Sequence, residues 1–262
     1  MSKDTARKRS PLRHRRLREA GQSLQEQIDR QYQKALSYII LSGVCVALAV
    51  AAWLSVIVES PRSPWIPTAL ALLVICYSAV RVWRIEHKLR NLELGWNGEK
   101  QVAEELDGLK QEGAIILHDV VAEGENGKRF NLDHVVCCRK GVFVIETKTR
   151  SKRSEGKKNE IVYDGSRVLV NGIEDRDVIP QATRNANWLQ KTLFDSTGKM
   201  FAVRPVIVFP GWWVEGAPKG AAVWVLNPKE QLAGFIRNEP VSISDEDLDH
   251  IVRQLSNYVL NH

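Results

Sequence analysis

The sequence predicts a mixed α/β or α+β domain that follows two long apolar helices. Three observations lead to this fold class. Residues 35–58 form an uncharged apolar run. Residues 131–150 contain two apolar, strand-like stretches on either side of a short polar turn. Apolar side chains recur at helical spacing near the end of the chain, at Leu248, Ile251, Leu255 and Val259.

The first apolar run predicts a membrane-spanning helix. Its 24 residues would extend over roughly 36 Å, which is enough to cross a bilayer with some tilt. A second run covers residues 65–83 if Arg81 extends toward the lipid headgroups. Only a short polar loop separates the two runs, so we expect a transmembrane hairpin inserted in the lipid bilayer. A buried soluble hairpin and a cleaved signal sequence are the alternatives, and the second would require a shorter apolar run.

The distribution of basic residues predicts the orientation of this hairpin. Residues 1–34 contain ten Lys and Arg, the loop contains Arg62 alone, and Arg81, Arg84, Lys88 and Arg90 follow at the second run. Basic segments stay on the cytoplasmic side, which predicts a multi-pass protein of the inner (cytoplasmic) membrane with both termini in the cytoplasm. Residues 91–262 carry 22 basic and 25 acidic side chains. The net charge of +6 therefore belongs to the membrane-flanking parts and does not itself indicate a nucleic-acid-binding domain.

The remaining elements follow from periodicity and turn residues. We expect a basic segment at 1–34 that is partly helical after Ser23, the hairpin at 35–83, and one cytosolic domain at 91–262. In that domain the Asp164-Gly165 pair indicates a small β-hairpin. The predicted helices are 97–110, 180–194, 228–236 and 245–260, and the predicted strands are 114–121, 130–148 as a hairpin, 161–163, 167–170, 203–209 and 222–226.

Charged side chains interrupt the apolar hairpin at 130–148. Glu146 and Lys148 are two positions apart and therefore share one face of their strand. If residues 139–140 form a two-residue turn, the ladder places Asp133 directly opposite Glu146, with Cβ atoms roughly 5 Å apart. Asp133, Glu146 and Lys148 should then converge on one side of the sheet.

Two carboxylates at this spacing repel each other, and a divalent cation would remove the repulsion. Mg²⁺, or Mn²⁺ in its place, prefers such hard oxygen ligands, and the backbone carbonyl of Thr147 is a further candidate. Lys148 could orient or deprotonate an attacking water, or neutralise charge on a phosphate. The alternatives are an Asp133–Glu146 edge pair that faces water and a plain surface pair of Glu146 and Lys148.

Further sequence motifs lie on either side of the charged hairpin and indicate a particular protein family. They are Gly95-Trp96-Asn97-Gly98-Glu99, Asn131-Leu132-Asp133-His134-Val135-Val136, the stretch from Gly141 to Lys148, and Pro180-Gln181 with Asn185 one turn later. Over residues 95–195 this combination resembles the nuclease-related domain (NERD) family of the PD-(D/E)xK nuclease superfamily, although Leu132 replaces the Pro that often precedes the motif Asp. The resemblance implies a restriction-endonuclease-like mixed sheet with flanking helices and metal-dependent cleavage of nucleic acid.

The resemblance also implies roles for residues outside the hairpin. Glu99 would reach the site from a helix that begins near Gly95, as a metal ligand or as a supporting acid. Gly95 and Gly98 would let this helix approach the sheet closely. Gln181 would contact metal-bound water or substrate. The plainer alternatives are a solvated acid in the first turn of a helix for Glu99 and an ordinary helix-start residue for Gln181.

A basic segment directly follows the second strand of the hairpin. Its side chains could contact a phosphate backbone, with DNA favoured over RNA as the partner, or could belong to a solvated loop. They are Arg150, Lys152, Arg153, Lys157 and Lys158.

Other chemistries have no motif in this chain. There is no C-x-x-C pair for zinc, no paired His spacing, and no G-x-S-x-G, Walker or G-x-G-x-x-G loop. Cys137 and Cys138 should point to opposite faces of their strand, and His134 should point away from Asp133. Three functions remain open: a membrane-anchored nuclease, a catalytically silent module of the same fold that binds nucleic acid or protein, and a membrane scaffold or stress-response partner.

Overall fold

The computed structural model describes residues 17–57, 63–124, 126–152, 159–216, 220–227 and 232–261. Within these residues the helices are α1 (Gln22–Ile57), α2 (Trp65–Lys110), α3 (Val178–Thr197), α4 (Ala233–Asn238) and α5 (Asp245–Asn261). The strands are β1 (Ile115–Glu123), β2 (Arg129–Cys138), β3 (Gly141–Thr147), β4 (Ile161–Tyr163), β5 (Val168–Val170), β6 (Ile173–Glu174), β7 (Val203–Val208), β8 (Val214–Glu215) and β9 (Trp224–Leu226).

Helices α1 and α2 are long and apolar enough to cross a membrane. Their most apolar windows have mean hydropathies of 2.4 and 1.7, and only 6% and 11% of those windows are buried within the protein. Outside their most apolar parts, near the start of α1 and the middle of α2, the two helices pack together through Ile28, Ile85 and Leu89. The exposed apolar surface is what a transmembrane hairpin would present to lipid.

The predicted start of a separate helix at residue 97 is wrong. Helix α2 begins at Trp65 and continues without a break through the predicted end of the hairpin to Lys110. Gly95 and Gly98 lie inside it, although a helix-interior glycine costs about 1 kcal/mol relative to alanine. Strong helix formers between residues 84 and 94, such as Arg84, Glu86 and Lys88, favour this continuity. The second apolar segment and the first helix of the domain are therefore one continuous helix.

The core of the domain is a five-stranded mixed sheet in the order β1-β2-β3-β7-β9. Strands β1, β2 and β3 are antiparallel neighbours, and β7 and β9 add in parallel. Helices α2 and α4 pack on one face through Val102, Leu106 and Ile236. Helices α3 and α5 pack on the other face, where Ile251 and Leu255 are buried as the helical spacing predicted. This arrangement confirms the predicted mixed sheet with flanking helices.

The β2–β3 hairpin has the predicted register. Cys138 pairs with Gly141 and His134 pairs with Ile145, so the next step along the ladder places Asp133 opposite Glu146. Cys137 and Cys138 belong to the apolar clusters on opposite faces of the sheet, as expected.

A second, smaller sheet in the order β6-β5-β4-β8 packs on the start of α3. The β4–β5 hairpin was predicted, whereas β6 and β8 were not, because each has only two residues. The predicted helix at 228–236 appears as α4, and its first residues, 228–231, lie outside the described part of the chain.

Candidate active site

The two acids of the hairpin meet where β2 and β3 leave the apolar core. Glu146 is 4% exposed, and Asp133 is half-buried directly across the ladder. The backbone N–H of Thr147 donates to Oδ2 of Asp133 over 2.7 Å. This bond fixes the Asp133 carboxylate beside the strand that carries Glu146.

Lys148 and Gln181 complete a three-membered polar contact with Glu146. Lys148 Nζ lies 2.8 Å from Glu146 Oε1 and 2.8 Å from Gln181 Oε1. Gln181 Nε2 donates to the same Glu146 oxygen over 2.6 Å. Because Lys148 and Glu146 are both largely buried, this ion pair is far less screened than a surface pair.

A second residue of α3 satisfies the other oxygen of Glu146. Asn185 is buried and its Nδ2 donates to Glu146 Oε2 over 2.9 Å. Gln181 and Asn185 are four positions apart, so the same face of α3 presents both amides to the strand end. Helix α3 therefore positions the Glu146 carboxylate through two amide donors, one on each side-chain oxygen, and Lys148 at the end of β3 adds the ionic partner.

Gly98 lets α2 approach this strand end. A Cβ atom at Gly98 would overlap the methyl carbon of Thr149, which follows β3. Gly95, by contrast, faces α1, where a Cβ would lie 3.1 Å from Leu24 Cδ1. The predicted close approach to the sheet thus belongs to Gly98, and Gly95 serves the packing of the two long helices.

Glu99, the residue after this glycine, is 9% exposed. Burial raises the pKa of Glu99 to about 7, and the charges of Asp119 and Glu146 act in the same direction. Burial, followed by the charges of Glu146 and Glu99, also raises the pKa of Asp133 well above its ordinary value. Glu99, Asp133 and Glu146 therefore lie close enough to repel one another in a desolvated pocket.

Residues 17–23, the N-terminal strap, close the site from the side of α1. The backbone N–H of Gly21 donates to Glu99. Arg18 Nε donates to Asp119 Oδ2 over 2.8 Å, and the backbone N–H of Ser23 donates to the same oxygen over 2.7 Å. Asp119 is 2% exposed and holds a left-handed backbone at φ 49°, which places its carboxylate against the strap.

A family model described as the nuclease-related domain, NERD, matches residues 94–210. Residues 94–210 are therefore similar to a nuclease-related domain and are given that name. No curated protein and no solved structure matches the chain. Within the nuclease-related domain lie all the side chains that surround Glu146, namely Glu99, Asp133, Lys148, Gln181 and Asn185. The N-terminal strap and α5 lie outside the matched residues.

The acids of the nuclease-related domain suit a hard divalent cation by chemistry, since their mutual repulsion would be relieved by a positive charge. Thr147 Oγ1 is buried and has no hydrogen-bond partner among the described residues. The same part of the chain nevertheless contains no group of three His, Cys, Asp or Glu residues arranged to hold a metal ion. Glu146 instead directs its oxygens at Lys148, Gln181 and Asn185.

The basic segment behind β3 is only partly described. Arg150 forms an ion pair with Asp175, and its carbonyl accepts a hydrogen bond from Trp212 Nε1 over 3.1 Å. Lys152 Nζ lies 5.9 Å from the centre of the Trp212 ring. Arg153, Lys157 and Lys158 lie outside the described residues.

Sequence reasoning missed three polar partners of the nuclease-related domain: Asp119, Asn131 as a side-chain donor, and the strap. Asp119 interrupts the apolar strand Ile115–Glu123, which is the same signal that identified Asp133. Asn131 Nδ2 donates to Asp119 Oδ1 over 2.6 Å. The contact of the strap with Asp119 joins residues about a hundred positions apart, so no local sequence pattern predicts it.

Proposed function

We propose that this protein is a membrane-anchored, divalent-metal-dependent nuclease that hydrolyses phosphodiester bonds, with DNA as the favoured substrate. The observation that carries the proposal is the convergence of Asp133, Glu146 and Lys148 at one strand end, with Gln181 bound to two of them. The match of residues 94–210 to the nuclease-related domain supports the same class of activity.

In this proposal Mg²⁺ or Mn²⁺ is held by Asp133, Glu146 and the Thr147 carbonyl, with Glu99 as a further acid. When bound, such an ion polarises a phosphoryl oxygen and lowers the pKa of a coordinated water. Lys148 brings a cation to the edge of the pocket, where it can neutralise charge that develops on the phosphate. Gln181 holds the ammonium of Lys148 and the carboxylate of Glu146 in fixed relation through both ends of its amide.

The test is a cleavage assay on the full-length chain in detergent micelles, with DNA and RNA substrates and with Mg²⁺ or Mn²⁺. Replacing Glu146 by Gln or Lys148 by Met should lower the rate by about 100-fold or more, because each removes charge from the reacting centre. The matched control is Glu104→Gln, an exposed acid on α2, which should leave cleavage unchanged. Cleavage that survives both site substitutions would come from a contaminant and would refute the proposal.

One observation favours a second function, a catalytically silent module that binds nucleic acid. Both oxygens of Glu146 already accept from Lys148, Gln181 and Asn185, an arrangement that is complete without a metal. This function predicts oligonucleotide binding that is the same in EDTA and in Mg²⁺, with no cleavage product. The nuclease predicts cleavage that EDTA abolishes.

We further propose that α1 and α2 anchor the domain on the cytoplasmic face of the inner membrane, with both termini in the cytoplasm. The exposed apolar surface of both helices and the basic residues that flank them support this orientation. A cytoplasm-dependent reporter fused after His262 should be active, and a reporter inserted in the loop between the helices should be active only outside. The reverse pattern would overturn the orientation.

A further inference from the structure

A groove of about 1160 Å³ leads away from the candidate active site along α3. Gln181 and Asn185, which bind Glu146, line its inner end. The opposite wall comes from the tip of the β1–β2 hairpin, through Lys128 and Phe130. The groove therefore begins at the strand end that carries the acids and continues over the surface of the domain.

One face of α3 forms the floor of this groove. Gln181, Arg184, Trp188 and Lys191 recur three or four positions apart and all line it. From Arg184 to Lys191 the helix rises about 10 Å, which matches roughly three nucleotides of a stacked strand. Arg184 and Lys191 are exposed, and Lys128 adds a third basic side chain from the hairpin.

Two acidic residues also line the groove. Asp195 lines the far end of the groove, one turn beyond Lys191. Glu123 lines the hairpin side, where its carboxylate lies 3.9 Å from Arg129. Arg184 and Lys191 thus lie between Gln181 and Asp195 along the floor of the groove.

Aromatic rings form the rest of the wall. Trp188 packs edge-on against Phe130 with ring centres 5.6 Å apart, and against Tyr258 of α5 at 5.5 Å. Trp188 Nε1 donates to the Glu123 carbonyl over 3.0 Å, which fixes the ring. All three rings are half-buried and line the groove. Fixed aromatic rings beside basic side chains are the means by which proteins bind single-stranded nucleic acid without sequence preference.

We propose that this groove binds one unpaired strand of nucleic acid and leads it to the acids at the strand end. The proposal deepens the proposed nuclease function and rests on it for the identity of the ligand. The groove is slightly larger than the roughly 300–1,000 Å³ of pockets that hold one drug-sized ligand, which leaves room for a few nucleotides. Stacking on its aromatic rings requires unpaired bases, which favours a single strand over a duplex.

The cavity beside the basic segment is a weaker competitor for this role. Residues Arg150 and Arg176 line it together with Glu174, Asp175 and Asp177, so acids outnumber bases there. Arg150 and Arg176 are also ion-paired with Asp175 and Glu174. A phosphate backbone would have to displace those carboxylates, whereas in the groove along α3 the exposed Arg184 lies on the same helix face as the half-buried Trp188.

The test measures binding of a fluorescent oligo-dT 12-mer to the full-length chain in micelles, by anisotropy in EDTA so that cleavage plays no part. Arg184→Glu should weaken binding by about 10-fold and lower the salt slope by about 0.7 per lost phosphate contact. Arg253→Glu, an equal charge change on an exposed position of α5 that does not line the groove, should leave the affinity unchanged. A blunt-ended duplex should bind more weakly than the single strand.

Equal losses for Arg184→Glu and Arg253→Glu, or equal affinity for duplex and single strand, would overturn the proposal. A measurement on the unsubstituted protein guards against misfolding of a variant: an iodouracil-containing strand should cross-link to Phe130, Trp188 or Tyr258. Cross-links confined to residues 148–152 would also overturn it. Because binding is measured without metal, these outcomes are independent of whether Glu146→Gln abolishes cleavage.

Discussion

The guanidinium of Arg18 donates to the carboxylate of Asp119 over 2.8 Å, joining residues 101 positions apart. Asp119 is almost fully buried, and Arg18 is about three-quarters buried at the side chain. Asp119 also contributes to the raised pKa of Glu99 in the candidate active site. The N-terminal strap is therefore part of the electrostatic environment of the nuclease-related domain.

Arg18→Ala should destabilise the domain by about 1–3 kcal/mol, because it leaves a buried carboxylate with hydrogen bonds but without its cation. The measurement is denaturant unfolding in micelles, followed by tryptophan fluorescence. A double-mutant cycle with Asp119→Asn should recover much of the loss. Arg90→Ala is the matched control: its partner Glu86 is exposed, so the change should stay within about 0.5 kcal/mol. Equal effects of Arg18→Ala and Arg90→Ala would contradict this account.

Gly98→Ala should destabilise the protein by about 1–3 kcal/mol and lower cleavage, since the new methyl group overlaps Thr149 and pushes α2 away from the strand end. Gly108→Ala on the same helix is the control. A Cβ there would lie 3.6 Å from Arg237, in ordinary contact, so this variant should gain about 0.5–1 kcal/mol of stability from helix propensity. Thermal unfolding of both variants measures these changes in stability. An increase in stability for Gly98→Ala would show that α2 does not pack tightly against Thr149 at this position.

The strand register that brings Asp133 and Glu146 together was predictable because it depends on local chain geometry. A two-residue turn after Cys138 determines every pair along β2 and β3, so Asp133 and Glu146 could be placed opposite each other from the sequence. The side-chain alternation likewise separates Cys137 from Cys138. Interactions between neighbours in the chain carry this part of the structure.

Long-range packing was not predictable in the same way. Gly95 and Gly98 suggested the start of a helix, whereas α2 passes through them, and Leu24 and Thr149 lie against the helix at those two points. The partners of Asp119 come from the strap, which no periodicity connects to β1. The short strands β6 and β8 depend on pairing with β5 and β4 and have no pattern of their own.

Glu99→Gln should change how stability depends on pH. In the native protein burial raises the pKa of Glu99 from 4.5 to about 7, so between these values the native state holds a proton that the unfolded state releases. Stability therefore falls as pH rises from 4.5 to 7, and Gln removes this loss while keeping an acceptor for Gly21. The stability of the variant relative to wild type should grow by about 1–3 kcal/mol between pH 5 and pH 8, measured in EDTA. A parallel offset at all pH values would contradict the prediction; Glu104→Gln provides the baseline.

Asn185→Asp should disturb the Glu146 carboxylate. The substitution replaces the amide donor, 2.9 Å from Glu146 Oε2, with a second carboxylate. Repulsion between the two carboxylates should displace Glu146 from its contacts with Lys148 and Gln181 and lower kcat/KM by about 10-fold or more. Asn187→Asp, an exposed change of the same charge two positions away, should leave kcat/KM unchanged. Equal values of kcat/KM for the two variants would show that Asn185 does not position Glu146.

His134→Leu should protect the domain against acid. His134 Nδ1 lies 2.8 Å from His118 Nδ1, and His134 Nε2 is buried without a partner among the described residues. Burial, with a smaller effect of His118, lowers the pKa of His134 to about 3. As pH falls below 6.5, His134 binds a proton in the unfolded chain but not in the native protein, so the stability of the wild type declines. Leu does not titrate, so the variant lacks this decline. Between pH 8 and pH 5, the free energy of unfolding of the variant minus that of wild type should therefore increase by about 2 kcal/mol. Unfolding curves at the two pH values measure the gain, with His250→Leu on α5 as the control; an equal gain in both variants would place the acid sensitivity elsewhere.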